Sequence, residues 1–202
     1  GQSMLEHVYR RACESDAARV IIAVDDVRVE RVAKRFGAQT CMTAPDHQSG
    51  TERIAEVIRA LDIPDDEIIV NVQGDEQEIE PEAIDIAVDA LVEGGTPMAT
   101  LASAFAEGED PANPNVVKVV LRADRTAMYF SRALVPYRRE AREETPVLRH
   151  VGLYVYRASF LARYATMEAT PLEQAEALEQ LRVLEHGEEI AVGIVPASHE
   201  GI

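Results

Sequence analysis

The sequence predicts an α/β fold in which a mostly parallel sheet is flanked by helices. Short runs of β-branched residues, such as RVIIAVD (19–25) and EIIVNVQ (67–73), alternate with segments of helical period. The first of these runs is continuously apolar, which is typical of strands covered on both faces. The 202 residues are 47% hydrophobic, which suits one domain or one domain with a small lobe.

Helices and strands alternate through the first half of the chain. The helices are recognised by apolar residues three or four positions apart, and the strands by short β-branched runs. Gly37 follows the second helix as a natural C-terminal cap, and Pro81 lies near the first turn of the fourth. The predicted helices lie at 4–13, 27–37, within 46–61 and at 81–95, and the predicted strands at 19–25, 39–43, 67–73 and 98–105.

The pattern changes after residue 105. NVVKVVLRADRTAMYFSRA (115–133) predicts two strands around the turn RADR, and the charged segment 137–148 predicts a mobile loop. A strand at 150–157, a short helix at 158–165, a long helix at 171–187 and a strand at 189–197 are predicted to follow. We therefore predict one domain over 1–202, with a later lobe at about 106–170.

The charge of the chain argues against two classes of partner. There are 36 acidic and 20 basic residues, which gives a net charge of -16 at pH 7. This balance repels nucleic acids and anionic membranes, so we expect neither as a partner. Cys13 and Cys41 fit neither a metal clip nor a redox pair, and we interpret them as reduced core thiols of a cytosolic protein. We expect no membrane span and no signal peptide.

A cluster of acidic residues follows the strand at 67–73. In open α/β sheets ligands bind beyond the carboxyl ends of strands, where Asp75 falls in VNVQGDEQEIEP (70–81). A carboxylate there could hold Mg²⁺, which prefers oxygen ligands and often bridges to phosphates, and Gly74 would let a ligand approach the backbone. Alternatively, Asp75 caps the helix that begins near 81, and the neighbouring glutamates complement its dipole.

A second candidate site precedes the helix within 46–61. DHQSGTER (46–53) places Ser49 and Thr51 around Gly50, where a helix N-terminus could bind an anion or the polar edge of a base. The alternative is a capping box, since Ser49 is followed three residues later by Glu52.

Polar side chains also cluster on three later segments. LRHVGLYVYR (148–157) carries donors suited to a carboxylate or a polyhydroxylated ligand, although aromatic residues are also ordinary in strands. LEQLR (178–182) places Glu179 and Gln180 mid-helix, and FSRALVP (130–136) places Arg132 after a strand. Both could equally be solvated surface. The sequence contains no GxSxG, HExxH or Walker lysine loop, so a covalent enzyme intermediate is not predicted.

Six of these segments, taken in order, resemble the 3-deoxy-manno-octulosonate cytidylyltransferase family. They are DHQSGTERIAEV, VNVQGDE, NPNVVKVV, YFSRALVPY, LRHVGLYVYR and LEQLRVLEHG. The resemblance implies a Rossmann-like nucleotide-diphospho-sugar transferase fold with a smaller dimerisation lobe in the later half. It also implies that CTP and the sugar acid Kdo give CMP-Kdo and pyrophosphate with Mg²⁺. A cytoplasmic homodimer that supplies lipopolysaccharide biosynthesis is expected on the same ground.

The resemblance also assigns individual residues. Arg149 and His150 are expected to offset the charge of the sugar carboxylate. The implied metal ligand is Asp75, which we also predict to be catalytic. The implied nucleotide-binding residues are Ser49, Gly50, Thr51, Arg53, Gln73 and Gly74. The implied substrate-binding residues are Arg132, Arg149, His150, Tyr154, Glu179 and Gln180.

The chain departs from the family pattern in three places. A first strand with a phosphate-binding loop and a last segment with a further metal-binding aspartate are absent, so we expect missing segments at both ends. Gln77 and Glu78 also replace the proline and apolar residue that usually follow GDE. The alternatives are a cytidylyltransferase for a related acid, such as sialic acid or 8-amino-Kdo, and a non-catalytic binding or scaffold protein of the same fold.

Overall fold

The structure, a computed structural model, describes residues 3–47, 49–74, 79–139 and 145–197. The chain forms two compact units, residues 1–85 with 156–166 (unit 1) and residues 86–155 with 167–202 (unit 2). The elements are α1 (Met4–Ala12), β1 (Ile21–Val24), α2 (Val27–Arg35), β2 (Gln39–Met42), α3 (Gly50–Ala60), β3 (Ile68–Asn71), α4 (Pro81–Gly94), β4 (Met98–Ala104), β5 (Lys118–Leu121), β6 (Ala127–Ser131), β7 (Leu148–Arg157), α5 (Ala158–Tyr164), α6 (Pro171–Glu176), α7 (Gln180–Glu185) and β8 (Ile190–Val195).

Unit 1 contains the parallel strand pair β1–β2 together with α1, α2, α3 and α5. Asp26 and Ser49 begin α2 and α3 as N-caps, because their side-chain oxygens accept backbone N–H groups of the first turn. Ala33 of α2, and Ala55 and Ile58 of α3, are buried, so the apolar stripes predicted from the helical period face the interior.

Unit 2 is built on a mixed sheet with the strand order β6-β5-β7-β4-β8. β4 and β8 are parallel, and β4 is buried along almost its whole length, as a strand covered on both faces should be. β5 is antiparallel to both β6 and β7. The predicted turn RADR joins β5 to β6, and a short turn of this kind requires antiparallel neighbours, so the sheet is less uniformly parallel than predicted.

Gly193 lies where α4 packs closely against the sheet of unit 2. A Cβ atom at this position would lie 2.9 Å from Ile86 Cγ2 and 2.9 Å from Leu101 Cδ2. Real Cβ contacts are essentially never that short, and the backbone carbonyl of Ile86 would lie at only 3.2 Å. A larger residue in the middle of β8 would therefore push α4 away from its strand.

The prediction of one long helix at 171–187 is wrong. α6 ends at Glu176 and α7 begins at Gln180, with Ala177 between them at φ 51° and ψ 53°. An L-residue in this left-handed conformation ends an α-helix, and Ala carries no sequence signal for it. Glu179 is consequently the N-cap residue of α7 and does not lie mid-helix.

The other predicted helices and strands are confirmed to within a few residues at their ends. Cys41 is buried, but Cys13 is exposed after the end of α1, so the prediction of two core thiols is wrong for Cys13. β7 begins at Leu148, and residues 140–144 of the predicted loop lie outside the described part of the chain. In that described part, no helix is long and apolar enough to cross a membrane. The predicted domain bounds, with a later lobe at about 106–170, stay a prediction.

Candidate active site

Gln73 and Gly74 follow β3 and are exposed, at the strand end where the sequence predicts a ligand. Asp75, the predicted metal ligand, lies outside the described residues, as do Glu76 and Glu78. Across the described ranges, no group of three or more His, Cys, Asp or Glu side chains could hold a metal ion. The magnesium site therefore stays a prediction that depends on Asp75.

The N-terminus of α3 brings several predicted nucleotide residues beside the end of β3. Ser49 caps the helix, with its Oγ accepting the N–H of Glu52 at 3.2 Å, which is one half of the predicted capping box. A Cβ atom at Gly50 would lie 3.7 Å from Nδ2 of Asn71, the last residue of β3. Thr51 is buried, with its hydroxyl 3.4 Å from the hydroxyl of Tyr156. The small residues at this corner let α3 begin close to the strand end.

Arg53 joins α3 to the ends of both strands of the β1–β2 pair. Its Nη1 donates to Thr43 Oγ1 at 2.6 Å and to the Ala44 carbonyl at 3.2 Å, and its Nη2 donates to Asp25 Oδ2 at 2.8 Å. Asp25 follows β1, and Thr43 follows β2. The guanidinium is thus engaged by protein groups, so the structure favours a positioning function for Arg53.

His47 and Glu56 hold the segment before α3 against the helix. The Glu56 carboxylate accepts the Ala44 N–H at 3.0 Å and a short hydrogen bond with His47 Nε2. The hydrogen bond with His47, followed by that from Ala44, lowers the pKa of Glu56 below its ordinary value. Glu56 was missed by sequence reasoning because its partners lie nine and twelve residues away in a loop.

His150 is a neutral side chain in β7. Burial lowers its pKa to about 4, so the imidazole is uncharged near pH 7. Its ring packs edge-on against Phe130 and lies 5.5 Å from the ring of Tyr154, centroid to centroid. The aromatic neighbours disfavour the charged form because they remove the water that it needs, and the expected contact of His150 with a sugar carboxylate stays a prediction.

Thr100 determines which ring nitrogen of His150 carries the proton. This fully buried hydroxyl lies 2.8 Å from the Leu153 carbonyl and 2.9 Å from His150 Nε2. A carbonyl only accepts, so the Thr100 hydroxyl donates to the backbone and accepts from Nε2–H. The tautomer with the proton on Nε2 leaves Nδ1 of His150 as an acceptor, which suits a hydroxyl or ammonium donor of a ligand.

Arg149 is the neighbouring cation on β7, and it is already paired. Its Nη1 donates to Glu109 Oε1 at 2.7 Å, and both side chains are largely buried. Glu109 is fixed in turn, since its Oε2 accepts the Ala106 N–H at 2.7 Å. A carboxylate partner orients the guanidinium and leaves other N–H groups to donate, so Arg149 remains suited to bind an anion.

Arg132 contacts the junction between α6 and α7. Its guanidinium donates to the carbonyls of Glu176 at 2.7 Å, Ala177 at 3.3 Å and Pro114 at 3.1 Å. These carbonyls belong to the end of α6 and to the segment before β5, where backbone acceptors lack helical or sheet partners. Arg132 thereby links β6 to the residues that precede Glu179 and Gln180.

Gln180 is buried and has an unsatisfied donor. The residue is 3% exposed, and its Nε2 has no hydrogen-bond partner among the described residues. Leaving a buried amide donor unpaired costs on the order of 1–3 kcal/mol. Glu179 beside it is exposed. A buried amide that lacks a protein partner is the kind of group that a polar ligand satisfies.

The described contacts thus collect the predicted residues into separate groups. The nucleotide set lies in unit 1, at the start of α3 and the end of β3, and the sugar-acid set lies in unit 2. Within unit 2, His150 and Tyr154 are neighbours on β7, and Arg132 reaches the chain just before Glu179. Sequence reasoning missed Thr100, Glu109 and Glu176 because each is 40 or more residues from the side chain it contacts.

Comparison with known proteins places the chain in a family. A family profile described as Cytidylyltransferase matches residues 1–190. The 3-deoxy-manno-octulosonate cytidylyltransferase of Aliivibrio fischeri strain MJ11 is 50% identical over 200 residues, which is 96% of this chain and 80% of that protein. The protein of the same name from Neisseria meningitidis serogroup A is 48% identical over 200 residues, covering 95% of this chain and 79% of that protein.

A solved structure confirms the predicted fold class. The structure titled CMP:2-keto-3-deoxy-manno-octonic acid synthetase complexed with CTP superposes with a TM-score of 0.92 at 40% identity, and the match covers 100% of this chain and 83% of that one. Identity and coverage at this level exceed what a shared fold alone requires. The chain belongs to the 3-deoxy-manno-octulosonate cytidylyltransferase family.

Proposed function

We propose that the protein transfers the cytidylyl group of CTP to 3-deoxy-manno-octulosonate (Kdo), giving CMP-Kdo and pyrophosphate. The observation that carries this proposal is the 50% identity over 200 residues with a relative named for that reaction. The structural neighbour with a TM-score of 0.92, whose title names CTP, supports CTP as the nucleotide.

The nucleotide is proposed to bind in unit 1. The end of β3 and the start of α3 offer the backbone N–H groups of the first helical turn, which favour an anion or a polar base edge. Gln73 and Gly74 are exposed beside them. Arg53 holds α3 to the strand ends, so its proposed effect on the nucleotide acts through the position of the helix.

The sugar acid is proposed to bind to unit 2 through groups of three kinds. Arg149 supplies the positive charge for the carboxylate, since His150 is neutral. His150 Nδ1 accepts a hydrogen bond from a sugar hydroxyl, and the buried Gln180 amide donates one. Tyr154 and Glu179 add polar groups next to these residues along β7 and at the start of α7.

The transfer needs positioning and charge neutralisation more than a protein nucleophile. The anomeric hydroxyl oxygen of the sugar acid forms a bond to the α-phosphorus of CTP, while the bond from that phosphorus to pyrophosphate breaks. The hydroxyl proton is released to solvent. Mg²⁺, which we propose is held by Asp75, would neutralise phosphate charge while two anionic reactants meet.

The family also suggests where the protein acts. We propose a cytoplasmic homodimer whose product supplies lipopolysaccharide assembly. The proposed dimer can be tested by sedimentation, because it would have about twice the 22.2 kDa mass of the chain.

Pyrophosphate release with CTP, Kdo and Mg²⁺ tests the proposal. Release should require both substrates and should stop when a chelator removes the metal. Equal release without Kdo would indicate hydrolysis of CTP, and no release with any sugar acid would favour a binding or scaffold protein. Preference for sialic acid or 8-amino-Kdo over Kdo would assign the protein to a related acid.

A further inference from the structure

Glu176, the last residue of α6, receives hydrogen bonds from two residues of β6, Tyr129 and Ser131, and from Arg132, which follows that strand. Its Oε1 accepts the Ser131 hydroxyl at 2.6 Å and the Tyr129 hydroxyl at 3.4 Å, and its Oε2 accepts the Arg132 N–H at 2.8 Å. Ser131 is 2% exposed, so this contact is shielded from water. One carboxylate therefore fastens the end of α6 to the end of β6.

Arg132 returns the contact in the opposite direction. Its guanidinium donates to the carbonyls of Glu176 and Ala177, which are among the last carbonyls of α6 and lack helical partners. A cation there also complements the negative end of a helix. Side chain to backbone bonds thus run both ways between β6 and the α6–α7 junction, and we call this set of contacts the junction clasp (Ser131, Arg132, Glu176 and Ala177).

The junction clasp is charged. Burial alone would raise the pKa of Glu176, but the hydrogen bonds from Ser131 and Arg132 outweigh it and hold the pKa below the ordinary value. Lys118, which is fully buried, donates to the carbonyls of Val116 at 2.6 Å, Asn113 at 3.0 Å and Arg132. This ammonium attracts the Glu176 carboxylate, so an ionised glutamate suits the site better than a neutral amide.

The junction clasp ends where the chain turns toward the sugar-acid residues. Ala177 takes the left-handed conformation, and Glu179 and Gln180 follow two and three residues later at the start of α7. Fixing the carbonyls of Glu176 and Ala177 fixes the direction of that turn. The position of the buried, unpaired amide of Gln180 depends on the direction in which α7 starts.

We propose that Glu176 is a positioning residue for the sugar-acid end of the active site, which it holds through the α6–α7 junction. This inference rests on the proposed function, because Glu179 and Gln180 are assigned to the sugar acid there. The nucleotide residues lie on α3 and after β3 in unit 1, so Glu176 should affect one substrate and not the other.

Steady-state kinetics of Glu176→Gln test the inference. The variant should raise the KM for Kdo about tenfold, since a hydrogen-bonded charge is lost, while the KM for CTP stays within about twofold. Glu168→Gln is the matched control. Glu168 is exposed, and its substitution removes the same charge from unit 2. The control should leave both KM values unchanged.

Ser131→Ala provides a second variant in case Glu176→Gln fails to fold. It removes one hydrogen bond and keeps the charge of Glu176, so the KM for Kdo should rise by a smaller factor with the same selectivity. Unchanged KM for Kdo in the folded variants would overturn the inference, as would equal increases for both substrates. Absence of turnover in the unmodified protein would instead overturn the proposed function on which the inference rests.

Discussion

His150 acts in this structure as a neutral hydrogen-bonding group, although its sequence context beside Arg149 suggests a pair of cations. Phe130, Tyr154 and the buried Thr100 surround the imidazole and set both its charge and its tautomer. In the proposed function, recognition of the carboxylate charge then falls to Arg149, which Glu109 orients. A residue type alone does not give its charge, because burial decides which protonation state is stable.

NMR titration of labelled histidine should show a pKa of about 4 for His150, compared with the ordinary 6.5. Because the folded pKa lies below the unfolded value, the unfolded state binds more protons between these two pH values. The free energy of unfolding should therefore fall as the pH drops from about 6.5 toward 4, and His150→Phe should show a shallower fall. A measured pKa near 6.5 in the folded protein would contradict the neutral assignment.

Asp75 is the single residue on which the proposed metal site depends. Asp75→Asn should lower the rate of pyrophosphate release by on the order of a hundredfold or more, because a neutral amide is a poor ligand for Mg²⁺. Asp66→Asn, at an exposed position just before β3, is the control and should keep nearly normal turnover. Normal turnover of Asp75→Asn with an unchanged magnesium requirement would remove Asp75 from the metal site.

At the scale of single elements, a comparison of the N-caps of α2 and α3 distinguishes an effect on stability from an effect on nucleotide binding. Ser49→Ala and Asp26→Ala each remove a side-chain cap at a helix start in unit 1. Each should lower the free energy of unfolding by about 1 kcal/mol, measured by denaturant titration. Only Ser49→Ala should also raise the KM for CTP. A similar rise in Asp26→Ala would mean that lost stability, not the local position of α3, causes the effect.

The break between α6 and α7 gives a second prediction about an element. Ala177→Gly should raise the free energy of unfolding by roughly 0.5–1 kcal/mol, because glycine adopts the left-handed conformation of this position without steric cost. Ala175→Gly, at an exposed position within α6, should instead lower it by up to about 1 kcal/mol. Equal losses in both variants would place Ala177 in an ordinary helical conformation.

The same break shows where sequence reasoning succeeds and where it stops. Local patterns predicted the strand at 98–105 and the helix that ends before Gly37, because the period of apolar residues and a C-terminal glycine are local signals. The αL conformation at Ala177 occurs where the chain meets Arg132, which is 45 residues away. Pairs such as Arg149 with Glu109 arise only when distant strands and loops meet, so no local pattern marks them.

At the scale of the whole molecule, net charge and local site chemistry oppose each other. The chain carries a net charge of -16, yet both proposed substrates are anions. Local groups must therefore offset the field: the start of α3 for the nucleotide, and Arg149 for the sugar carboxylate. The dependence on Mg²⁺ is expected for the same reason, since a bound cation is the largest local charge that such a site can add.

The identity of the sugar acid is the central claim, and a competition experiment tests it most directly. The protein is incubated with CTP, Mg²⁺ and equal concentrations of Kdo, 8-amino-Kdo and sialic acid, and the nucleotide sugars formed are identified by mass spectrometry. The account predicts CMP-Kdo as the main product. A mixture in which the sialic acid or 8-amino-Kdo conjugate predominates, or in which no nucleotide sugar forms, would contradict it.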